Sequence, residues 1–254
     1  MRDIRIYRIT DAGPKGNQDA CYVSEHDNGK ALACIADGVS GQRDGKYTAE
    51  FIADYIEDWY DEEGDQIFRS QPETLKEKML RLVMEMHEDL IAESDSSGLQ
   101  PGSTLDLAVM GGRKVFVAHV GDSRVYLFDG RSMKRITEDQ TVAEVEKTTG
   151  MKFNEIAESR KAHYLMQCIG IGKINPNIYE EDIPQNCDIL LCTDGLSNRL
   201  TESDMAEELR KKQTGSDALL NLVKKARNAG EGDNITAVLI RRREKPDKRQ
   251  NGRR

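Results

Sequence analysis

The chain has 254 residues, 37% hydrophobic and 32% charged, with a formal net charge of −8, which is enough apolar content for a core and excludes a disordered or fibrous class. Its last stretch, "RRREKPDKRQNGRR" from 241 to 254, holds eight Lys/Arg against two acidic residues, so the body before it carries about −14 and has the wrong sign for a general nucleic-acid surface. No apolar run approaches the roughly 20 residues that cross a bilayer, and the charged "MRDIRIYRIT" is unlike a signal peptide.

In chain order, the first ten residues alternate with Ile4 and Ile6 on one face, as a half-buried strand does, and "CYVS" and "ALACIA" read as two more strands. Phe51, Ile52, Tyr55, Ile56 and Trp59, and then Leu75, Met79, Leu82, Val83, Met86 and Leu90, fall at helical spacing, with Pro72 suited to a first turn. These stripes predict two amphipathic helices lying on a sheet. "TLDLAVM", "KVFVAHV", "RVYLF" and "SMKRIT" follow as strands joined by "GG", "GDS" and "DG", links so short that antiparallel neighbours are expected at each. The polar stretch 138–173 predicts a helix at "QTVAEVEKTTG" and a short one before "HYLMQCIG". A strand "CDILLCT", helices over 201–212 and 216–229, and a last strand "NITAVLI" complete the order.

Strands, a helix pair, strands, and a second helix pair with a final strand imply antiparallel sheets with helices outside them. There is no internal repeat and no long linker, so one domain over residues 1–243 with a basic tail from 244 to 254 is expected. The five cysteines, at 21, 34, 168, 187 and 192, are odd in number with no CxxC pair, and read as buried thiols in a reducing compartment. A soluble cytoplasmic protein is the expectation.

Four aspartates share one kind of position, at a strand end beside glycine: Asp37 after "CIA", Asp122 in "HVGDSR", Asp194 in "LLCTDGLSN" and Asp233 in "GEGDNITAV". Asp19 in "GNQDA" makes a fifth. A hard divalent cation takes oxygen ligands, and carboxylates from several strand ends gather them without burying unpaired charge. The plain alternative is that Asp-Gly is a common hairpin turn, as "FDGRS" at Asp129 reads; four such aspartates together favour the ion site. His26 reads as a loop residue, His87 as helical, and His119 and His163 as isolated, with no HExxH or Cys/His cluster for zinc. GxSxG, GxxxxGK[ST] and a GxGxxG after a strand are all missing from the sequence, and Ser40 and Ser103 read as turn residues rather than nucleophiles.

Taken in order, "NQDA", "ADGVSG", "GSTLDLAV", "HVGDSRVYLF", "ITEDQT", "LLCTDGLSN" and "GDNITAV" resemble the metal-dependent protein serine/threonine phosphatases of the phosphatase 2C (PPM) type, in particular its small bacterial members. The resemblance covers about residues 8 to 241. It implies an α+β fold, a four-layer αββα sandwich with two central antiparallel β-sheets flanked by paired helices, and a site at one end of the sheets holding two Mn²⁺ or Mg²⁺ ions, with a weaker third. Carried over by position, Asp37 would bridge the two ions, Asp194 and Asp233 would complete the first, and the Gly38 carbonyl with Asp19 would hold the second; Asp122 would serve the third. Asn234 would brace the loop around Asp233. The implied reaction is single-step hydrolysis of phosphoserine and phosphothreonine by a water between the two ions, with Asp37, Asp194 and Asp233 as the catalytic set.

Departures from the family pattern are specific. Lys15 stands as the one cation where relatives carry a phosphate-binding arginine, and a lysine lacks the bidentate fork. Gln42 replaces a histidine, leaving protonation of the leaving group to water, and Asn198 replaces an aspartate that would serve the third ion. The stretch 138–173 corresponds to the family's variable flap, where substrate choice would lie. The implied partners are phosphorylated proteins that a serine/threonine kinase modifies, with no nucleic acid and no membrane, and the chain is expected to act as a monomer. A regulatory binding module of the same fold with residual phosphatase activity is the alternative. A structural calcium domain would need its ligands in one D-x-[DN]-x-[DN]-G loop, which the sequence lacks.

Overall fold

The computed structural model describes residues 2–14, 16–26, 29–39 and 41–244. Lys15, Ser40 and the basic end beyond Glu244 lie outside the described residues. Strands β1 (Arg2–Asp11), β2 (Asp19–His26) and β3 (Lys30–Asp37) precede helices α1 (Gly45–Glu63), α2 (Asp65–Arg69) and α3 (Pro72–Ser97). Next come β4 (Leu105–Gly111), β5 (Lys114–Val120), β6 (Arg124–Phe128) and β7 (Met133–Arg135), then α4 (Val142–Thr149) and α5 (Glu158–Lys161). The chain continues through β8 (Asn177–Asp182), β9 (Cys187–Cys192), α6 (Asp194–Ser197), α7 (Glu202–Arg210), α8 (Gly215–Asn228) and β10 (Ile235–Glu244).

The strands form two five-stranded sheets, ordered β1-β10-β9-β6-β7 and β2-β3-β4-β5-β8, with antiparallel pairing throughout. Because strand side chains alternate faces, a strand buried on both sides reads as a continuous apolar run. In β3, Leu32, Cys34 and Ala36 meet Ile52 and Ile56 of α1 and Met79, Val83 and Met86 of α3, while Ala31, Ala33 and Ile35 point between the sheets at Val238 and Ile240 of β10. On the far side, Leu190 and Cys192 of β9 and Ala237 and Leu239 of β10 meet Met205 and Leu209 of α7 and Leu219 and Leu222 of α8. Helix pair, sheet, sheet and helix pair make the four-layer sandwich expected from the sequence.

One link departs from expectation. Gly121, Asp122 and Ser123 do not close a hairpin: β5 and β6 lie in opposite sheets, so this segment crosses the sandwich. Gly121 takes φ +113° there, and a Cβ at that position would meet the Thr104 side chain. Strand β8 and helix α2 were not foreseen. The sequence of β8, "NIYEED", has no apolar run because it is a half-exposed edge strand whose Glu180 and Glu181 pair with Lys114 and Lys134.

Two histidines also differ from expectation. His26 is no loop residue but ends β2, its ring stacked on Phe68 at 4.8 Å and its Nε2 2.5 Å from Asp65. His119 is not isolated: its Nδ1 lies 2.7 Å from Asp106 Oδ1, both side chains fully buried, and its Nε2 2.9 Å from the Glu138 carbonyl. The five cysteines are free, with Cys34, Cys168, Cys187 and Cys192 buried and Cys21 half-buried. Three cations of the basic stretch, Arg241 to Arg243, belong to β10, where Arg241 and Arg243 pair with buried Asp188. Among the described residues no helix is long and apolar enough to cross a membrane.

Candidate metal centre

Antiparallel pairing brings the aspartates to one end of the sandwich. In one sheet Asp19, at the start of β2, stands opposite Asp37 at the end of β3. In the other, Cys192 at the end of β9 pairs with Ala237 of β10 and Arg124 of β6, so Asp194, Asp233 and Asp122 all fall just past that edge. Hydrogen bonds join the two groups. Thr193 donates from its hydroxyl to Asp19 Oδ2 at 3.1 Å, and Asn234 accepts from the Gln18 N–H at 2.8 Å while donating to the Gly16 carbonyl at 2.7 Å. The bracing expected of Asn234 thus spans 218 residues of sequence.

Asp37, Asp122, Asp194 and Asp233 line a single cavity of about 900 Å³. Asp19 lies behind them, buried. Burial pushes Asp19 up to about 6, and burial together with the charges of Asp194 and Asp139 pushes Asp122 up to about 8. Burial, and then the charges of Asp19, Asp194, Asp122 and Asp233, raise Asp37 well above the usual carboxylate range. Asp194 is raised by burial and by Asp233, although Asn198 holds its Oδ2 at 3.0 Å.

Among the described residues none of these five carboxylates is ion-paired to a Lys or Arg, and Asp19 Oδ1 is buried with no hydrogen-bond partner. Nor, among the described residues, do any three His, Cys, Asp or Glu side chains close into a ready-made cage; four of the carboxylates are spread around the cavity wall. This donor set, all oxygen and short of positive charge, fits hard divalent cations whose coordination is completed by backbone carbonyls and water. It does not fit zinc, which prefers nitrogen and sulfur.

The glycines settle whether these Asp-Gly pairs are turns. Gly130 is one: φ is +93°, and Asp129 Oδ1 accepts from the N–H groups of Arg131 and Ser132. Gly38 and Gly195 have no positive φ. They are glycines for want of room: a Cβ on Gly38 would lie 2.5 Å from the Gly45 carbonyl carbon and 2.8 Å from the Gln18 carbonyl oxygen, and one on Gly195 would overlap the Asn234 carbonyl oxygen.

A protein phosphatase 2C family model matches residues 14–221. The chain belongs to the protein phosphatase 2C family. It is 29% identical over 232 residues to the serine/threonine phosphatase stp of Listeria monocytogenes, covering 89% of this chain and 90% of that protein. The Streptococcus agalactiae serine/threonine phosphatase superposes with a TM-score of 0.82 at 26% identity, covering 94% of this chain and 99% of that one. The fold also matches the catalytic domain of the phosphatase PstP, a structure in complex with two manganese ions, with a TM-score of 0.78 at 22% identity over 96% of this chain and all of that one. The expected enzyme class, protein serine/threonine phosphatase, is the one these relatives carry.

In this phosphatase 2C chain the site also includes residues not singled out from sequence. Thr104 accepts the Asp37 N–H at 3.1 Å and donates its own N–H to the Asp37 carbonyl at 2.9 Å. His163, Arg199 and Glu231 share the cavity wall with the aspartates. Arg199 and Glu231 adjoin the motifs "LLCTDGLSN" and "GEGDNITAV" and were legible by position alone; His163 arrives from the 138–173 segment, and no local pattern marks it. Gln42 lines the same wall. Lys15, the candidate phosphate ligand, lies outside the described residues.

Proposed function

We propose that this chain is a divalent-metal-dependent phosphoprotein phosphatase that hydrolyses phosphoserine and phosphothreonine by direct, in-line attack of water. The observation that carries the proposal is four carboxylates lining one cavity, with the buried Asp19 opposite Asp37 and none of the five ion-paired to a Lys or Arg among the described residues, in a chain of this family. Asp37 would be shared between two Mn²⁺ or Mg²⁺ ions, with Asp194 and Asp233 on one, Asp19 and the Gly38 carbonyl on the other, and Asp122 available to a weaker third. Bound there, the ions would lower the pKa of the attacking water and absorb charge as the phosphorus–oxygen bond breaks.

The chain's own groups support water rather than a side chain as the nucleophile. The one thiol on the cavity wall among the described residues, Cys168, is pushed up to about 11 by burial, the reverse of the lowered pKa that a reactive cysteine needs. The Ser103 hydroxyl is turned away, donating to the Asp37 or Thr104 carbonyl at 2.9 Å. Thr193 holds one oxygen of Asp19 and Asn198 one oxygen of Asp194, and the other Asp19 oxygen is buried with no hydrogen-bond partner, as an oxygen kept for an ion would be.

Ala162, Tyr164, Leu165 and Ile171 supply an apolar side to the cavity, so the 138–173 segment would meet the residues flanking the phosphorylated one. The free, mostly buried thiols accord with a reducing cytoplasm, where the enzyme would oppose a serine/threonine kinase. Hydrolysis of p-nitrophenyl phosphate and of a phosphothreonine peptide, with and without Mn²⁺, tests the proposal. Turnover should require the ion and vanish in Asp194→Ala; metal-independent turnover, or full turnover in that variant, would overturn it.

A further inference from the structure

Among the described residues the cavity wall carries one guanidinium, that of Arg199, five residues beyond Asp194. Its Nε donates to Glu231 Oε2 at 2.9 Å. Glu231, its side chain 8% exposed, uses its other oxygen to accept the N–H groups of Gly232 and Asp233, each at 2.8 Å. One carboxylate therefore both aims the guanidinium and shapes the loop that presents Asp233.

The form of this pair is informative. A guanidinium recruited only to neutralise a buried carboxylate does best as a two-pronged fork, and Arg124 makes such a fork here, with Nε 2.9 Å and Nη2 2.6 Å from the two oxygens of Asp139. Arg199 engages Glu231 through Nε alone. Its terminal nitrogens carry no hydrogen bond among the described residues, and its side chain is 46% exposed on the cavity wall. A fork fixed at its base with both tips free is set to take two oxygens of one oxyanion, beside Asp194 and Asp233.

We propose that Arg199 grips the phosphoryl group of the substrate through its two terminal nitrogens, with Glu231 as the positioning residue that aims it. This rests on the phosphatase reading above and names the phosphate ligand that the sequence sought at Lys15.

The experiment compares Arg199→Ala, Arg199→Lys and Glu231→Gln with the unaltered chain. It measures KM and kcat for p-nitrophenyl phosphate and for a phosphothreonine peptide without acidic residues, and calorimetric binding of inorganic phosphate and of Mn²⁺. Arg199→Ala should raise KM and weaken phosphate binding together by about 10- to 100-fold, the span expected for charge-assisted hydrogen bonds, while Mn²⁺ affinity does not fall. Lysine should restore only part, since it offers a point charge. Glu231→Gln keeps an acceptor for the two loop N–H groups yet loosens Arg199, and should shift KM the same way by less; it supplies the readout if the alanine variant does not fold. Phosphate binding unchanged in a folded Arg199→Ala chain, a KM unchanged for both substrates, or a loss that merely follows weakened Mn²⁺ binding would each overturn the assignment. If the unaltered chain shows no Mn²⁺-dependent hydrolysis, the phosphatase reading itself falls instead.

Discussion

Asp19 and Asp37 stand directly opposite each other across β2 and β3, two carboxylates at one rung of a ladder. Burial raises both above ordinary carboxylates, and the charge of Asp19 adds to the rise in Asp37, as like charges directly opposite destabilise a strand pair. Asp37→Asn removes one of these charges while keeping the shape of the side chain. In excess chelator the variant should melt a few degrees higher than the unaltered chain, since about 1 kcal/mol moves Tm by roughly 2–4 °C at this size. Its phosphatase activity should fall by more than about 100-fold, because even outer-shell partners of metal ligands are commonly worth 10–100-fold. A thermal melt in chelator and a turnover assay in Mn²⁺ check the two halves; a lower Tm would show that the pair is not repulsive.

The same raised values fix a pH dependence. Asp19 at about 6 and Asp122 at about 8 both lie above their unfolded value of 3.8. Between pH 4 and 8 the unfolded chain has therefore lost protons that the folded one still holds. These groups subtract nothing from stability below about pH 4 and progressively more as the pH rises through their folded values. Divalent cations held as proposed by these aspartates would offset that penalty and displace the protons. The rise in Tm on adding Mn²⁺ should be larger at pH 8 than at pH 5.5, and calorimetric titrations near pH 7 in buffers of different ionisation heat should show proton release. Equal Tm increments at the two pH values would contradict this account.

Gly195 and Gly130 both follow an aspartate, yet the structure assigns them opposite consequences. Gly195→Ala places a methyl group into the Asn234 carbonyl, pushing the Asp194 and Asp233 segments apart; overpacking of this kind costs about 1–3 kcal/mol, and Mn²⁺ affinity should drop by about 10-fold or more. Gly130→Ala meets no neighbour and strains only a left-handed turn, at about 1 kcal/mol, with Mn²⁺ affinity unchanged. Urea unfolding and Mn²⁺ titration of the two variants side by side give the comparison.

That contrast marks how far the sequence could be read. The layers were legible because a strand buried on both faces is uniformly apolar, as "ALACIA" is, and a helix covering a sheet repeats its apolar residues at every third or fourth position, as α3 does from Leu75 to Leu90. The aspartates were legible as a set, since a carboxylate at the end of such a strand is chemically conspicuous. Which sheet a strand joins is not encoded in the length of a link, so "GDS" read as a hairpin although it carries Asp122 across the sandwich. Arg199 and Glu231 sit beside the aspartate motifs and were legible by that position, whereas the contact of His163 with the cavity depends on the 138–173 segment packing against distant parts of the chain, and no local pattern records that. The His119 pairing was hidden for the same reason, since Asp106 lies thirteen residues away on another strand.

That pair supports the last prediction. Asp106 and His119 are opposite residues of β4 and β5, fully buried and 2.7 Å apart, and the His119 ring reaches on to the Glu138 carbonyl. Residue 138 adjoins Asp139, which grips Arg124 two positions from Asp122. Asp106→Ala leaves a buried imidazole without its carboxylate, and breaking a buried pair in this way typically costs about 3–5 kcal/mol. Asp106→Asn retains a hydrogen-bonding group and should lose less. Because the two side chains act as a unit, the Asp106→Asn/His119→Gln double variant should be less destabilised than the sum of its single variants. Urea unfolding of the four chains measures the coupling, and strict additivity would mean that the two side chains contribute independently.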